Sequence, residues 1–277
     1  MTEAANAAMT DYWNAGAGET WALYQDQLDR QLALLGAEAM RALPLAPGHR
    51  VLDIGCGCGD TSLDLAAAVG PSGAVVGVDI SRPMLDVARA RAVACPAAEF
   101  VEADAQTADL GEGAFDAAFS RFGVMFFSDP PAAFANIRRA LKPGAPLAFV
   151  CWRPFLDNPW MRDPMAAARD LLPPQPSPDP LAPGPFAFAD ADRVRSILES
   201  AGFGDVSIAP YDARIGGSGV EQTLGLTFRV GPLGVALRER PDLADVVADR
   251  VRTVLTRYET PDGVLMPAAV WIVTARA

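Results

Sequence analysis

The chain has 277 residues, 51% of them hydrophobic, which is enough for one domain with a sizeable core and insertions. Its formal net charge is −11, and this acidic balance disfavours nucleic acid as a partner because a polyanion binds to a basic face. No uninterrupted apolar run reaches the roughly 18 residues that a membrane span requires.

Residues 1–45 are predicted to form a helical extension that precedes the main fold. This extension gathers four aromatic residues, which are Tyr12, Trp13, Trp21 and Tyr24. They either pack among themselves or cover a ligand. The first basic residue is Arg30, so the segment has no signal-peptide pattern and we expect a cytoplasmic protein. Of the 23 lysine and arginine residues, only one is lysine. Such an arginine-rich composition is typical of a GC-rich bacterial genome.

From residue 49 onwards, short apolar runs alternate with segments of helical period. We predict seven strands, at residues 50–55, 74–79, 98–104, 115–122, 146–152, 205–211 and 269–277. Asp60 or Thr61, Ser81 and Asp129 are predicted to cap the helices that follow strands one, two and four. Repeated strand–helix–strand units predict a doubly wound α/β fold with a mostly parallel sheet covered on both faces.

Two stretches interrupt this alternation, residues 153–189 and residues 212–262. The first has seven prolines within 173–185, which predicts a stiff extended segment, and the second has a predicted helix at 241–257. Both leave the sheet at the carboxyl end of a strand, so we expect them to form a cap over that edge. The whole chain, residues 1–277, is then a single domain.

The stretch VLDIGCGCGD, residues 51–60, follows the first strand, where doubly wound folds bind their ligands. A dinucleotide fingerprint, G-x-G-x-x-G, requires a third glycine where this chain has Asp60 or Ser62, so a nicotinamide-dependent reductase is disfavoured. The actual spacing is D-x-G-x-G-x-G, with a carboxylate, Asp53, two residues before the first glycine. A carboxylate repels phosphate and suits a cation or an ammonium group.

This motif resembles the first motif of the class I S-adenosylmethionine-dependent methyltransferases. Within that family, the chain resembles the branch of the ubiquinone- and menaquinone-biosynthesis enzymes. The resemblance implies a Rossmann-like fold with an antiparallel last strand, S-adenosylmethionine as cofactor, S-adenosylhomocysteine as product, and no metal. It implies that Asp79 bonds the ribose, Asp104 the adenine amino group and the Ala105 amide a ring nitrogen. The implied cofactor contacts are Trp13, Trp21, Asp53, Gly55, Cys56, Gly57, Gly59, Asp79, Ile80, Met84, Asp104, Ala105, Arg121 and Phe122.

The four cysteines, Cys56, Cys58, Cys95 and Cys151, show neither zinc-site spacing nor a disulfide framework. We expect them to be unpaired. His49, the only histidine, precedes the first strand and therefore belongs to the pole opposite the glycine loop. No acid–base pair is evident, so we assign no general base.

The sequence thus predicts methyl transfer to a small hydrophobic or aromatic acceptor by in-line displacement. The alternative is a non-catalytic module that binds S-adenosylmethionine without transferring its methyl group. The acceptor-binding candidates are Trp152, Arg153, Asn158, Trp160 and Tyr211. The acceptor atom and the oligomeric state stay open.

Overall fold

The structure is a computed structural model that describes residues 6–172 and 179–277. Eight strands form one mixed sheet with the order β3-β2-β1-β4-β5-β8-β6, and β7 pairs with β8. The strands are β1 Arg50–Ile54, β2 Ala74–Asp79, β3 Ala98–Glu102, β4 Ala117–Arg121, β5 Pro146–Trp152, β6 Gly204–Ser218, β7 Glu259–Thr260 and β8 Gly263–Arg276. The pairings from β3 to β5 are all parallel, whereas β8 runs antiparallel to β5, β6 and β7. The predicted fold class and the antiparallel last strand are confirmed.

The helices flank this sheet and form the two added regions. They are α1 Ala7–Asn14, α2 Gly16–Leu23, α3 Gln25–Arg41, α4 Asp60–Val69, α5 Arg82–Arg91, α6 Pro130–Ala140, α7 Pro159–Ala168, α8 Ala191–Ser200, α9 Val220–Thr227, α10 Pro232–Glu239 and α11 Ala244–Thr256. No helix in the described ranges combines the length and the apolar character that crossing a bilayer requires.

The last two long strands differ from the prediction. β6 and β8 continue as an antiparallel ribbon in which residues 212–218 pair with residues 264–269. Glycines at 216 and 217 and a proline at 267 hide this extension in the sequence, because such residues usually mark turns. The second interruption therefore comprises residues 219–262 rather than 212–262. The eighth strand is the two-residue β7, too short for a sequence pattern to reveal.

Helix capping was predicted correctly at one of three positions. The Asp129 carboxylate accepts the N–H of Ala132 at 3.1 Å and caps α6. Neither Asp60 nor Thr61 caps α4, because Gly59 in the left-handed conformation precedes it and the Thr61 hydroxyl donates to Asp53 instead. The Ser81 hydroxyl donates to the Trp13 carbonyl at 2.7 Å and so does not cap α5.

The buried side chains form two cores. The main core lies on both faces of the sheet and includes the fully buried Phe119, Phe134 and Phe149. The second core joins α7 of the first interruption to α9, α10 and α11 of the second and to β8. Its members include Ala168, Leu224, Leu233, Val251, Leu255 and Met266. Chain segments that are far apart in the sequence thus pack together on one side of the molecule, and we call residues 153–189 and 219–262 the cap.

The proline-rich stretch lies partly outside the described residues, since the structure describes only 179–185 of residues 173–185. The helix α7 in the same interruption was not predicted. It begins with Pro159, which suits a first turn, and contains Pro164. The predicted helix at 241–257 is confirmed as a short 3₁₀ turn followed by α11.

Candidate functional site

A cavity of about 390 Å³ opens at the carboxyl ends of the parallel strands. The last residues of β1, β2, β4 and β5, or those directly after them, line its floor, and the N-terminal helices and the cap form its walls. The predicted site residues that line it are Trp13, Trp21, Gly55, Asp79, Ile80, Met84, Asp104, Ala105, Arg121, Phe122, Trp152 and Trp160. Its size is typical of a small-molecule site.

The glycine loop is closely packed. Gly55, Gly57 and Gly59 all have positive φ, between 55° and 82°. A side-chain carbon on Gly55 would lie 2.6 Å from the Gly123 Cα, and one on Gly57 would lie 2.7 Å from the Met84 Cε. A side chain is therefore disfavoured by conformation at all three glycines and excluded by backbone contact at Gly55, the one of them that lines the cavity.

Asp79 ends β2 beside this loop. Its Oδ2 accepts the N–H of Gly57 and its Oδ1 accepts the N–H of Ser81, both at 2.8 Å. Burial raises the pKa of Asp79, and these N–H groups oppose that rise. Each oxygen keeps a free lone pair, so the carboxylate can accept two further hydroxyl groups.

Asp104 follows β3 on the cavity wall. Its Oδ1 accepts the N–H of Gln106 at 2.9 Å, whereas its Oδ2 is buried and has no hydrogen-bond partner among the described residues. A buried acceptor without a donor is costly unless a ligand supplies one. The neighbouring Ala105 carbonyl is held by the Asn136 amide at 3.0 Å, which fixes this turn. These acceptors therefore fit an adenosine group that donates from its amino group to Asp104 and from its hydroxyls to Asp79.

Asp53 lies beneath the glycine loop and is not among the residues that line the cavity, and contact of its side chain with a cofactor stays a prediction. The fully buried carboxylate accepts the hydroxyls of Thr61 and Ser62 at 2.7 and 2.6 Å. Burial raises the pKa of Asp53 to about 6, against the lowering effect of these two hydrogen bonds. Its role in this structure is to join the end of β1 to the start of α4.

Three other predicted residues of the loop, Cys56, Gly57 and Gly59, are also absent from the cavity wall. The Cys56 side chain is buried under the loop, and burial raises the pKa of its thiol. All four cysteines are free, as predicted, and the described residues contain no cluster of three or more metal-ligating side chains.

Arg121 lines the cavity, but its charge is already paired. The guanidinium bonds Asp60 and Asp29, each at 2.8 Å. Arg91 bonds the same two carboxylates from α5. The sequence analysis missed Asp29 and Arg91, because no spacing rule connects residues that meet only through the tertiary fold.

An aromatic wall adjoins Arg121. Phe122 stacks on Trp152 with ring centroids 4.2 Å apart and planes at 10°, and Trp160 packs on Trp152 at 4.9 Å. Phe122 has φ of 62°, which is uncommon for an aromatic residue and is held in place by this stack. The wall presents flat apolar surface to the cavity.

Three predicted acceptor residues, Arg153, Asn158 and Tyr211, do not line the cavity. The guanidinium of Arg153 pairs with Asp157 and Asp212. The buried Asn158 amide both donates to and accepts from the backbone of Ala269, which ties the cap to β8. Tyr211 lies in the middle of β6, and that strand lines the cavity farther along, at Ile215 and Gly216.

The far end of the cavity is formed by cap residues that the sequence analysis did not identify. They are Met161, Pro164, Pro183, Pro185, Thr223, Leu226, Thr227, Val230 and Leu233, together with Val264 and Met266 of β8. Most of these side chains are apolar. No local sequence motif identifies these residues, because they belong to separate segments that meet only in the folded protein.

The N-terminal helices cover the near end. Trp13 makes edge contacts with Trp21 and Phe126 at 5.9 and 5.1 Å, and all three rings line the cavity. The Asn14 amide donates to the Ile80 carbonyl at 2.7 Å, so α1 is fastened to the turn after Asp79. Contact of Trp13 or Trp21 with a sulfonium stays a prediction. His49 accepts the N–H of Ala46 before β1, at the opposite pole as predicted.

Comparisons with known proteins agree with this site. Residues 51–144 match the family described as Methyltransferase domain. A 2-phytyl-1,4-naphtoquinone methyltransferase of Trichormus variabilis is 39% identical over 107 residues, 38% of this chain and 47% of that protein. A demethylmenaquinone methyltransferase of Lactococcus lactis is 35% identical over 117 residues, 42% of this chain and 46% of that protein. The chain thus spans less than half the length of these curated relatives.

Among solved structures, the YcgJ protein of Bacillus subtilis superposes with a TM-score of 0.57 and 18% identity, over 89% of this chain and 97% of that one. This likeness shows the fold alone. The family match places a methyltransferase domain at residues 51–144 of a chain that has this fold. The resemblance to the quinone-methyltransferase branch is confirmed for this part of the chain.

Proposed function

We propose that the protein transfers the methyl group of S-adenosylmethionine to a small, apolar, aromatic acceptor. The observation that supports this most directly is one continuous cavity with two unlike ends. Its near end offers the carboxylates of Asp79 and Asp104, and its far end offers the apolar surface of the cap. We place the protein in the cytoplasm, in keeping with its four free thiols.

The chain's own residues act by holding, aligning and excluding water. The glycine loop, Asp79 and Asp104 would hold the adenosine and amino-acid parts of the cofactor, which supplies an electrophilic methyl group when it is bound. The stack of Phe122, Trp152 and Trp160 would orient a flat acceptor for in-line attack. Because the leaving thioether is neutral, alignment and desolvation can supply much of the rate enhancement.

The acceptor class is the finer part of the proposal. Two relatives are named as methyltransferases of a naphthoquinone and of demethylmenaquinone. A reduced quinone is flat, apolar and nucleophilic at ring carbon or oxygen, and such a molecule suits the aromatic wall. We therefore propose reduced naphthoquinones and related phenols as the first acceptors to test.

The experiment begins with thermal unfolding in the presence of S-adenosylmethionine, S-adenosylhomocysteine or NADH. A ligand at a hundred times its dissociation constant should stabilise the protein by about 2.7 kcal/mol. Reduced naphthoquinones are then incubated with cofactor that carries a deuterated methyl group, and mass spectrometry detects the labelled product. Stabilisation by NADH alone would contradict the proposal. Stabilisation by S-adenosylhomocysteine without transfer to any acceptor would favour the non-catalytic binding module.

A further inference from the structure

Four charged side chains form a closed ring beside the cavity. The carboxylate of Asp29 bonds Arg121 at 2.8 Å and Arg91 at 2.9 Å. The carboxylate of Asp60 bonds the same two guanidinium groups, at 2.8 and 3.1 Å. Positive and negative groups alternate around the ring, and each arginine bridges both acids.

The ring is largely shielded from water. The Arg121 side chain is 12% exposed and that of Asp29 is 15% exposed, so these charges interact more strongly than surface pairs do. Burial raises the pKa of Asp29, and the charge of Arg121 opposes that rise. Two guanidinium groups face two carboxylates, and the ring as a whole is neutral.

The four members come from four elements that surround the glycine loop. Asp29 is on α3, Asp60 begins α4 directly after Gly59, Arg91 ends α5 and Arg121 ends β4. Arg91 also donates to the Cys58 carbonyl of the loop at 2.9 Å. Arg121 lines the cavity, as do Leu28 and Leu32 on either side of Asp29. The ring therefore connects the N-terminal extension to the backbone that faces the cofactor.

Loss of one acid would leave the ring with a net positive charge on the wall of the cavity. S-adenosylmethionine carries a sulfonium, so its net charge near neutral pH is +1, whereas S-adenosylhomocysteine has no sulfonium and is neutral overall. An uncompensated guanidinium in a partly dry site would repel the first ligand more than the second.

We propose that Asp29 is a positioning residue for S-adenosylmethionine, which balances the charge of Arg121 and Arg91 and thereby keeps the site favourable to a cationic ligand. This inference rests on the proposed function. Asp29 acts through the two arginines and joins α3 to the glycine loop. Its effect should therefore appear in the ratio of the dissociation constants of S-adenosylmethionine and S-adenosylhomocysteine.

The test measures the dissociation constants of both ligands by titration calorimetry on the full chain. Asp29→Asn should weaken S-adenosylmethionine by roughly tenfold and S-adenosylhomocysteine by about twofold. Asp29→Glu restores the charge and should recover most of the loss. The double variant Asp29→Asn with Arg121→Gln removes one charge of each sign and should return the ratio of the two constants to its wild-type value.

Glu38→Gln is the matched control, since Glu38 is on the same helix α3 and pairs only with Arg41 at the surface. It should leave both constants unchanged. Equal weakening of both ligands by Asp29→Asn would show a purely structural role and overturn the inference, as would no weakening. If Asp29→Asn fails to fold, Arg91→Gln alone leaves the ring with a net negative charge and should shift the ratio of the two constants in the opposite direction, in favour of S-adenosylmethionine. An unchanged ratio in that variant would also overturn the inference. Wild-type protein that binds neither ligand would instead contradict the proposed function.

Discussion

At the residue scale, the two strand-end carboxylates carry the clearest prediction. Asp79→Ala should weaken S-adenosylhomocysteine more than tenfold, because two charge-assisted bonds of about 1.5–3 kcal/mol each would be lost along with the anchor of the Gly57 N–H. Asp104→Ala should weaken the binding of S-adenosylhomocysteine less, because the ligand would donate one hydrogen bond to its Oδ2. Calorimetry gives both values. Asp109→Ala, an exposed acid that follows Asp104, is the control.

A second prediction at this scale concerns pH and Asp53. Its pKa of about 6 in the folded protein lies above the usual value for aspartate, so folding favours the protonated form. The contribution of this group to stability is full below about pH 4 and is lost as the pH rises through 6. Between about pH 5.2 and 7.5, the contribution of Asp53 to the free energy of unfolding should fall by about 1 kcal/mol.

Asp53→Asn tests this, because the amide keeps an acceptor for Thr61 and Ser62 but does not titrate. Urea unfolding at the two pH values should show the variant gaining about 1 kcal/mol on the wild type at the higher pH. A difference that does not change with pH would mean that Asp53 titrates normally in the folded state.

At the scale of elements, the docking of the N-terminal helices depends on Gly18. A side-chain carbon there would collide with the Trp13 carbonyl and lie 2.5 Å from the Ser81 Oγ. Gly18→Ala should therefore separate α1 and α2 from the turn after Asp79 and weaken S-adenosylhomocysteine several-fold. Gly16→Ala in the same helix is the control, because no atom of residues 6–172 or 179–277 lies within 4 Å of its added carbon.

The measurement is calorimetry together with tryptophan fluorescence, since Trp13 and Trp21 report on this region. Gly16→Ala should bind like the wild type and be slightly more stable, by up to about 1 kcal/mol, as expected for alanine in a helix. Equal behaviour of the two variants would show that the close approach at Gly18 does not matter for the ligand.

At the scale of the whole molecule, the two cores should respond separately. Val251 is fully buried in the cap core, and Val251→Ala should destabilise that region by about 2 kcal/mol. Hydrogen exchange should accelerate in residues 220–258 and stay unchanged in 50–122. Binding of S-adenosylhomocysteine should change less than twofold, while transfer to an acceptor should fall.

Val246→Ala is the control for this prediction, because Val246 is on the same helix α11 and is 43% exposed. It should leave both exchange and transfer unchanged. Loss of cofactor binding in the Val251 variant would show that the cap supports the cofactor end of the cavity as well as the acceptor end.

The sequence by itself determined the sheet up to β5, the glycine loop and the positions of Asp79, Asp104 and Phe122. These features depend on local patterns: a buried parallel strand is an uninterrupted apolar run, and a loop after it must have glycine wherever φ is positive. Strand ends are then fixed by chain order, because parallel strands bring their carboxyl ends to one edge.

The tertiary structure decided what the side chains near those ends do. The Thr61 hydroxyl donates to Asp53 instead of capping α4, and Arg121 is neutralised by Asp29, which is 92 positions away in the sequence. The length of β6 and β8 is set by their pairing, and the far end of the cavity forms where the two interruptions share a core. Partners that are far apart in the sequence form no recognisable spacing pattern, because burial and charge pairing are determined only when the chain has folded.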